Sequence, residues 1–156
     1  MTNHRRVNAN SKRRTLTDLL AAAEARIERL SPAEAHAALQ GGAVLIDIRS
    51  DSNRTHGGIV PGSLHIPRTV LEWRTAPESE FRNPHLGDCE QQVIVLCDHG
   101  CSSILAAAVL AELGYTRAGD VIGGFTAWRD TNLPVIPAPR RSRSRGKPAG
   151  MGPPAP

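Results

Sequence analysis

Two kinds of apolar pattern alternate along this chain. Between Thr15 and Leu30, apolar residues fall at 16, 19, 20, 23 and 27, a helical stripe that predicts a helix over 15–30. Ser31-Pro32-Ala33-Glu34 then reads as a second helix start, with Ser31 as cap, Pro32 in the first turn and Glu34 completing a capping box. That helix stops at Gly41-Gly42. Residues 43–48 form a continuous apolar run broken only by Asp47, the pattern of a strand buried on both faces. A polar, glycine-containing connection over 50–58 follows, then a turn at Val60-Pro61-Gly62 and a short strand over 63–66. One or two helical turns are expected over 69–75, and a long polar connection over 76–91.

Val93–Leu96 is the next buried strand, and it runs straight into Cys97. The Ala/Leu-rich stretch 103–113 predicts a helix stopped by Gly114, and Asp120-Val121-Ile122 a last short strand. Gly123-Gly124 turns the chain into a helix over 125–130. Strands alternating with helices predict an α/β domain, a mostly parallel sheet covered on both faces. In such sheets ligands gather beyond the carboxyl ends of the strands.

Charge divides the chain more sharply than its formal net of +4 suggests. Residues 1–14 hold five cations and no acid, and residues 138–156 hold five more, also without an acid. All 15 acids lie between them, against nine cations, so the folded part is acidic. A nucleic-acid domain with a basic folded face is therefore disfavoured, although cationic ends can make non-specific contact with polyanions. Both ends read as disordered tails and 15–137 as one domain. No apolar run is long enough to span a bilayer, and the basic N-terminus lacks the apolar core of a secretory signal. Three cysteines, at 89, 97 and 101, make no even disulfide framework, which points to a reducing, cytoplasmic setting.

The chemistry concentrates at Cys97. It ends a strand, and Asp98, His99, Gly100, Cys101, Ser102 and Ser103 lead from it into a helix. A strand, a short loop with glycine and a helix N-terminus form a cradle in which backbone N–H groups converge on an anion. A sulfur held there is shifted toward thiolate, the nucleophilic form. The bland alternative is an inert buried thiol, but Cys97 falls at the mouth of the sheet rather than in its middle.

Four separated segments carry a family resemblance. Val44–Arg49 is similar to a "hydrophobic-hydrophobic-D-x-R" strand end, and Gly58–Ser63 through Ile66-Pro67 to a "G-H-I-P-G-A…I-P" segment. Cys97 with Gly100 and Ser103 is similar to "C-x-x-G-x-R-S", and Gly123-Gly124-Phe125 with Ala127-Trp128 to "G-G-x-x-A-W". Together, in order and over residues 30–133, they resemble the rhodanese-like domains, in particular a bacterial subset with Ser-Ser in the active loop. The resemblance implies a central sheet of about five strands with helices on both faces. It implies that Cys97 carries sulfane sulfur as a persulfide, taken from a donor such as thiosulfate and passed to cyanide or a thiol, without metal or organic cofactor. The loop from Cys97 to Ser102 has the sulfurtransferase length. Related phosphatases and arsenate reductases use a longer loop closed by an arginine, which makes those activities the poorer reading.

Ser102 stands where the family commonly has arginine, so a fixed cation for an oxyanion is missing from the loop. Weak use of thiosulfate follows, or, as the alternative, a catalytically impaired binding or regulatory module. Arg68 and Arg74 are candidates to reach the site, against the plainer reading of a solvated helix face. Asp47 is read either as orienting the loop or as pairing with Arg49. Cys101 either resolves an oxidised Cys97 or simply fits the loop. Cys97, His99 and Cys101 form C-x-H-x-C, but a structural metal site wants a fourth ligand, and no metal is expected. His99 either favours the thiolate when protonated or faces solvent.

Overall fold

The computed structural model describes residues 12–140. Helix α1 (Leu16–Glu24) opens on a capping box between Thr15 and Asp18, and strand β1 (Glu28–Leu30) follows it. Helix α2 (Pro32–Gln40) starts as the sequence predicts. The Ser31 hydroxyl accepts from the Glu34 N–H at 3.2 Å, while the Glu34 carboxylate accepts from the Ser31 N–H at 2.8 Å. Replacing Ser31 with Ala removes one half of this exchange and should cost about 1 kcal/mol, readable as a lowered urea midpoint with an unchanged slope.

The remaining elements are β2 (Val44–Asp47), α3 (Asp51–Gly57), β3 (Leu64–His65), a 3-10 turn (Arg68–Val70) running into α4 (Leu71–Thr75), β4 (Val93–Leu96), α5 (Ser102–Glu112), β5 (Ala118–Val121) and α6 (Gly124–Asp130). The five strands pair in the order β1-β5-β4-β2-β3, all parallel. Side chains of β4 alternate between two cores, as a two-residue period requires. Val93 and Val95 face α5 with Ile46, Ala106, Ala107 and Leu110; Cys97 continues that face. Ile94 and Leu96 face α2 and α6 with Leu45, Ala35, Phe125 and the fully buried Trp128. Helix α1 packs on α5 through Ala23, Ile104 and Ala108. No helix among the described residues is long and apolar enough to cross a membrane.

Three sequence expectations are corrected. The helix expected over 15–30 ends at Glu24, and its last three residues become the edge strand β1. Glu28, Arg29 and Leu30 lie opposite Gly119, Asp120 and Val121, so long-range pairing overrides the local helical stripe. Gly119 permits that approach, because a Cβ there would collide with the Glu28 carbonyl. The connection over 50–58 contains α3, capped by Ser50, whose hydroxyl accepts from the Asn53 N–H at 3.1 Å. The last strand is 118–121 rather than 120–122, which leaves Ile122 exposed. Disorder is expected for 1–14 and 138–156, and of these 1–11 and 141–156 lie outside the described residues.

Candidate active site

Cys97 leaves the carboxyl end of β4 and its side chain is buried, 5 % exposed. The loop then turns back over its own sulfur. Gly100 takes φ +79° and directs its N–H onto the Cys97 Sγ at 3.1 Å. A side chain at 100 would lie 2.5 Å from the Gly123 nitrogen, so the glycine serves both conformation and space. The start of α6 is pressed against the other side of the loop. The Phe125 N–H donates to the Cys97 carbonyl at 2.8 Å and the Thr126 N–H to the Asp98 carbonyl at 3.1 Å. Gly124 makes this contact possible, since a Cβ there would sit 2.5 Å from the Cys97 carbonyl oxygen. The Gly-Gly pair read from the sequence as a turn is therefore part of the active loop's wall.

Side chains brace the loop from three elements. Asn53 of α3 donates to the Asp98 carboxylate at 2.7 Å. Thr126 of α6 meets the His99 Nδ1 at 3.2 Å, and Arg29 of β1 donates to the Gly100 carbonyl at 3.3 Å. Around the sulfur itself, the Cys97 thiol donates to the Ser103 hydroxyl oxygen at 3.3 Å, and that hydroxyl donates to Asp120 at 2.7 Å. Burial pushes the Cys97 thiol up, but its hydrogen bonding with the Ser103 hydroxyl and N–H, the Ser102 hydroxyl and the Gly100 N–H outweighs it. The thiol is held below the usual cysteine range.

The other candidates are distributed as follows. Asp47 is fully buried and bound within its own neighbourhood. It accepts from Arg49 at 3.0 and 2.8 Å and from Arg54 at 3.3 Å, which is the pairing alternative rather than the loop-orienting one. Arg49 in turn donates to the Gly58 carbonyl at 2.9 Å and lies 3.8 Å over the Phe125 ring. Asp47 and Arg49 thus hold the wall behind the loop and do not touch the sulfur. Arg68 pairs with Glu72 at 2.8 Å, and Arg74 donates to the Phe81 carbonyl at 2.7 Å. Neither is directed to Cys97. Cys101 is exposed, all three cysteines are free thiols, and among the described residues no three His, Cys, Asp or Glu side chains group to hold a metal ion.

Four residues at the site are not singled out by the sequence: Arg29, Asn53, Asp120 and Thr126, the last lying unnoticed inside the helix predicted over 125–130. Asp120 carries a signal, an acid inside a short apolar strand just before Gly-Gly, of the same kind as Asp47. Asn53 and Arg29 carry none, because neither α3 nor β1 stands out in the local pattern.

A parallel α/β domain with one buried cysteine at the carboxyl end of a central strand, ringed by backbone and hydroxyl donors, defines a class of proteins equipped for covalent chemistry on a small anion. The family model of the rhodanese-like domain matches residues 31–131, and the chain belongs to that family. The thiosulfate sulfurtransferase GlpE of Stutzerimonas stutzeri is 36% identical over 104 residues, 67% of this chain and 86% of that protein. Among solved structures, a protein of unknown function from Rhodopseudomonas palustris, described as a possible tyrosine phosphatase, is similar at 30% identity. Its TM-score is 0.72, covering 81% of this chain and 97% of that one. The polysulfide-sulfur transferase homodimer of Wolinella succinogenes is similar at 27% identity with a TM-score of 0.62, covering 80% of this chain and 89% of that one.

Proposed function

We propose that this protein is a sulfurtransferase that carries sulfane sulfur on Cys97. The observation that supports the reading most is the placement of the Cys97 sulfur, with its depressed pKa, inside the Gly100–Ser103 ring of donors. The Cys97 thiolate attacks the outer sulfur of a donor such as thiosulfate. A Cys97 S–S bond forms, the donor's own S–S bond breaks, and sulfite leaves with the electron pair. The terminal sulfur of the persulfide then passes to cyanide or a thiol, and Cys97 is regenerated as thiolate. The negative charge stays near the same N–H and O–H donors throughout. The naming of relatives as thiosulfate sulfurtransferases agrees with this chemistry. The short loop without an arginine favours sulfur over phosphorus as the reacting centre. The free thiols fit a reducing, cytoplasmic compartment.

The test is peptide mass mapping after exposure to thiosulfate and, separately, to polysulfide. The expected result is a gain of one sulfur atom on the Cys97 peptide, not on those of Cys89 or Cys101, discharged by cyanide. Absence of the adduct with both donors would leave the binding-module reading in its place.

Ser102, exposed at the first position of α5, is the reason to expect weak turnover of thiosulfate. Replacing Ser102 with Arg restores a fork-shaped cation beside the loop. It should raise kcat/KM for thiosulfate by about tenfold, the effect of one additional charge-assisted hydrogen bond. An uncharged donor should gain little, and equal gains for both would show that the missing arginine is not what limits thiosulfate.

A further inference from the structure

Ser103 has one hydroxyl hydrogen and two neighbours able to accept it. In the structure the hydrogen goes to Asp120, at 2.7 Å, while the Ser103 oxygen accepts the Cys97 thiol at 3.3 Å. A Cys97 thiolate or persulfide needs that same hydrogen. Both Ser103 and Asp120 are fully buried, so no solvent settles the competition. Arg29 does. It reaches across from β1, where it lies in register with Asp120 of β5, and donates its Nε to Oδ1 at 2.9 Å and its Nη2 to Oδ2 at 3.2 Å. Both carboxylate oxygens are thereby satisfied without the serine. The same Nη2 holds the Gly100 carbonyl of the active loop at 3.3 Å.

We infer that Arg29 and Asp120 are positioning residues that set, through Ser103, how readily Cys97 becomes a thiolate. With Arg29 in place, the hydroxyl can turn from Asp120 to the sulfur as the thiol proton leaves. Without it, an uncompensated buried carboxylate holds the hydroxyl and repels the thiolate. The other polar and charged side chains around Cys97 are engaged elsewhere. Asp98 is bound to Asn53, His99 to Thr126, and the Asp47, Arg49 and Arg54 cluster of β2 and α3 closes on itself and on Gly58. Glu24 of α1 meets Arg29 only at 3.6 Å, at its partly exposed end.

The inference deepens the proposed function, resting on Cys97 as the reactive sulfur, but its test does not require sulfur transfer. The rate of Cys97 alkylation by iodoacetamide, followed by peptide mass from acid to alkaline pH, gives a titration midpoint for the full-length protein. Arg29→Gln should move that midpoint up by about one pH unit, a roughly tenfold slower reaction at pH values below the wild-type midpoint. Asp120→Asn, which removes the charge and frees the hydroxyl, should move it down by a similar amount. Arg29→Lys should return it toward the wild-type value.

A pair that merely tied β1 to β5 would shift both variants in the same direction, together with their unfolding midpoints, and that result would overturn the inference. If Asp120→Asn does not fold, Arg29→Gln against Arg29→Lys still decides, and an unmoved midpoint in Arg29→Gln overturns it. Opposite shifts without any persulfide in the wild type would uphold the network and reject sulfur transfer instead.

Discussion

Replacing Cys97 with Ser should lower sulfur transfer by roughly four orders of magnitude or to the uncatalysed background, with little change in stability. The reason is chemical rather than steric. An alcohol oxygen does not ionise in the range where the Cys97 thiolate forms, and it cannot hold a sulfane sulfur through an S–S bond. The backbone ring survives the change, since the Gly100 N–H can donate to an oxygen as to a sulfur, and the introduced hydroxyl can still meet Ser103. The measurement is steady-state transfer to cyanide beside a thermal unfolding scan. Substantial remaining activity would move the chemistry to another cysteine, and the exposed Cys101 would be the next to test.

The wild-type pH profile should carry the same signature. Below the pKa of Cys97 the sulfur is a protonated, unreactive thiol, and above it a thiolate. Because that pKa is held below the ordinary cysteine range, the loading rate should level off at lower pH than alkylation of free cysteine does.

Asp47→Ala should be strongly destabilising although it lies away from the sulfur. Asp47 is fully buried and receives the Arg49 backbone N–H at 3.1 Å, two guanidinium contacts from Arg49 and one from Arg54. Removing it leaves the Arg49 cation, 3% exposed, with a carbonyl and an aromatic face but no counter-charge. Breaking such a buried pair from one side costs about 3–5 kcal/mol, a large share of the roughly 5–15 kcal/mol by which a domain is typically stable. The double variant Asp47→Ala, Arg49→Met removes the stranded charge and should recover part of the loss. Urea unfolding of the wild type and both variants checks this, and a double variant no more stable than Asp47→Ala would show that packing, not charge, is what Asp47 supplies.

Much of this molecule is legible in its sequence because the signals are local. The capping box at Ser31 and Glu34 depends on residues three apart, and the buried runs at 43–48 and 93–96 announce strands by composition alone. Cys97 falls at the loop because a strand ends there and glycine and serine follow. Asp47 stands out as an acid inside an apolar run, which is what a buried ion pair looks like before folding.

The features that do not show are made by contacts between distant segments. Glu28–Leu30 has no strand signal of its own and becomes β1 only by lying along β5, where Gly119 lets it approach. Arg29 therefore reaches the active loop through a pairing that no local pattern encodes. The sequence offers Arg68 and Arg74 as the missing cation, close in chain order to the strand before them, and the fold directs those to Glu72 and Phe81. Sequence by itself determined the parallel α/β class, the family and the candidate nucleophile, since each rests on short-range pattern and spacing. Only the tertiary structure decided which charges surround that cysteine, because an electrostatic environment is set by distance in space, and Arg29, Asp120 and Cys97 are far apart along the chain.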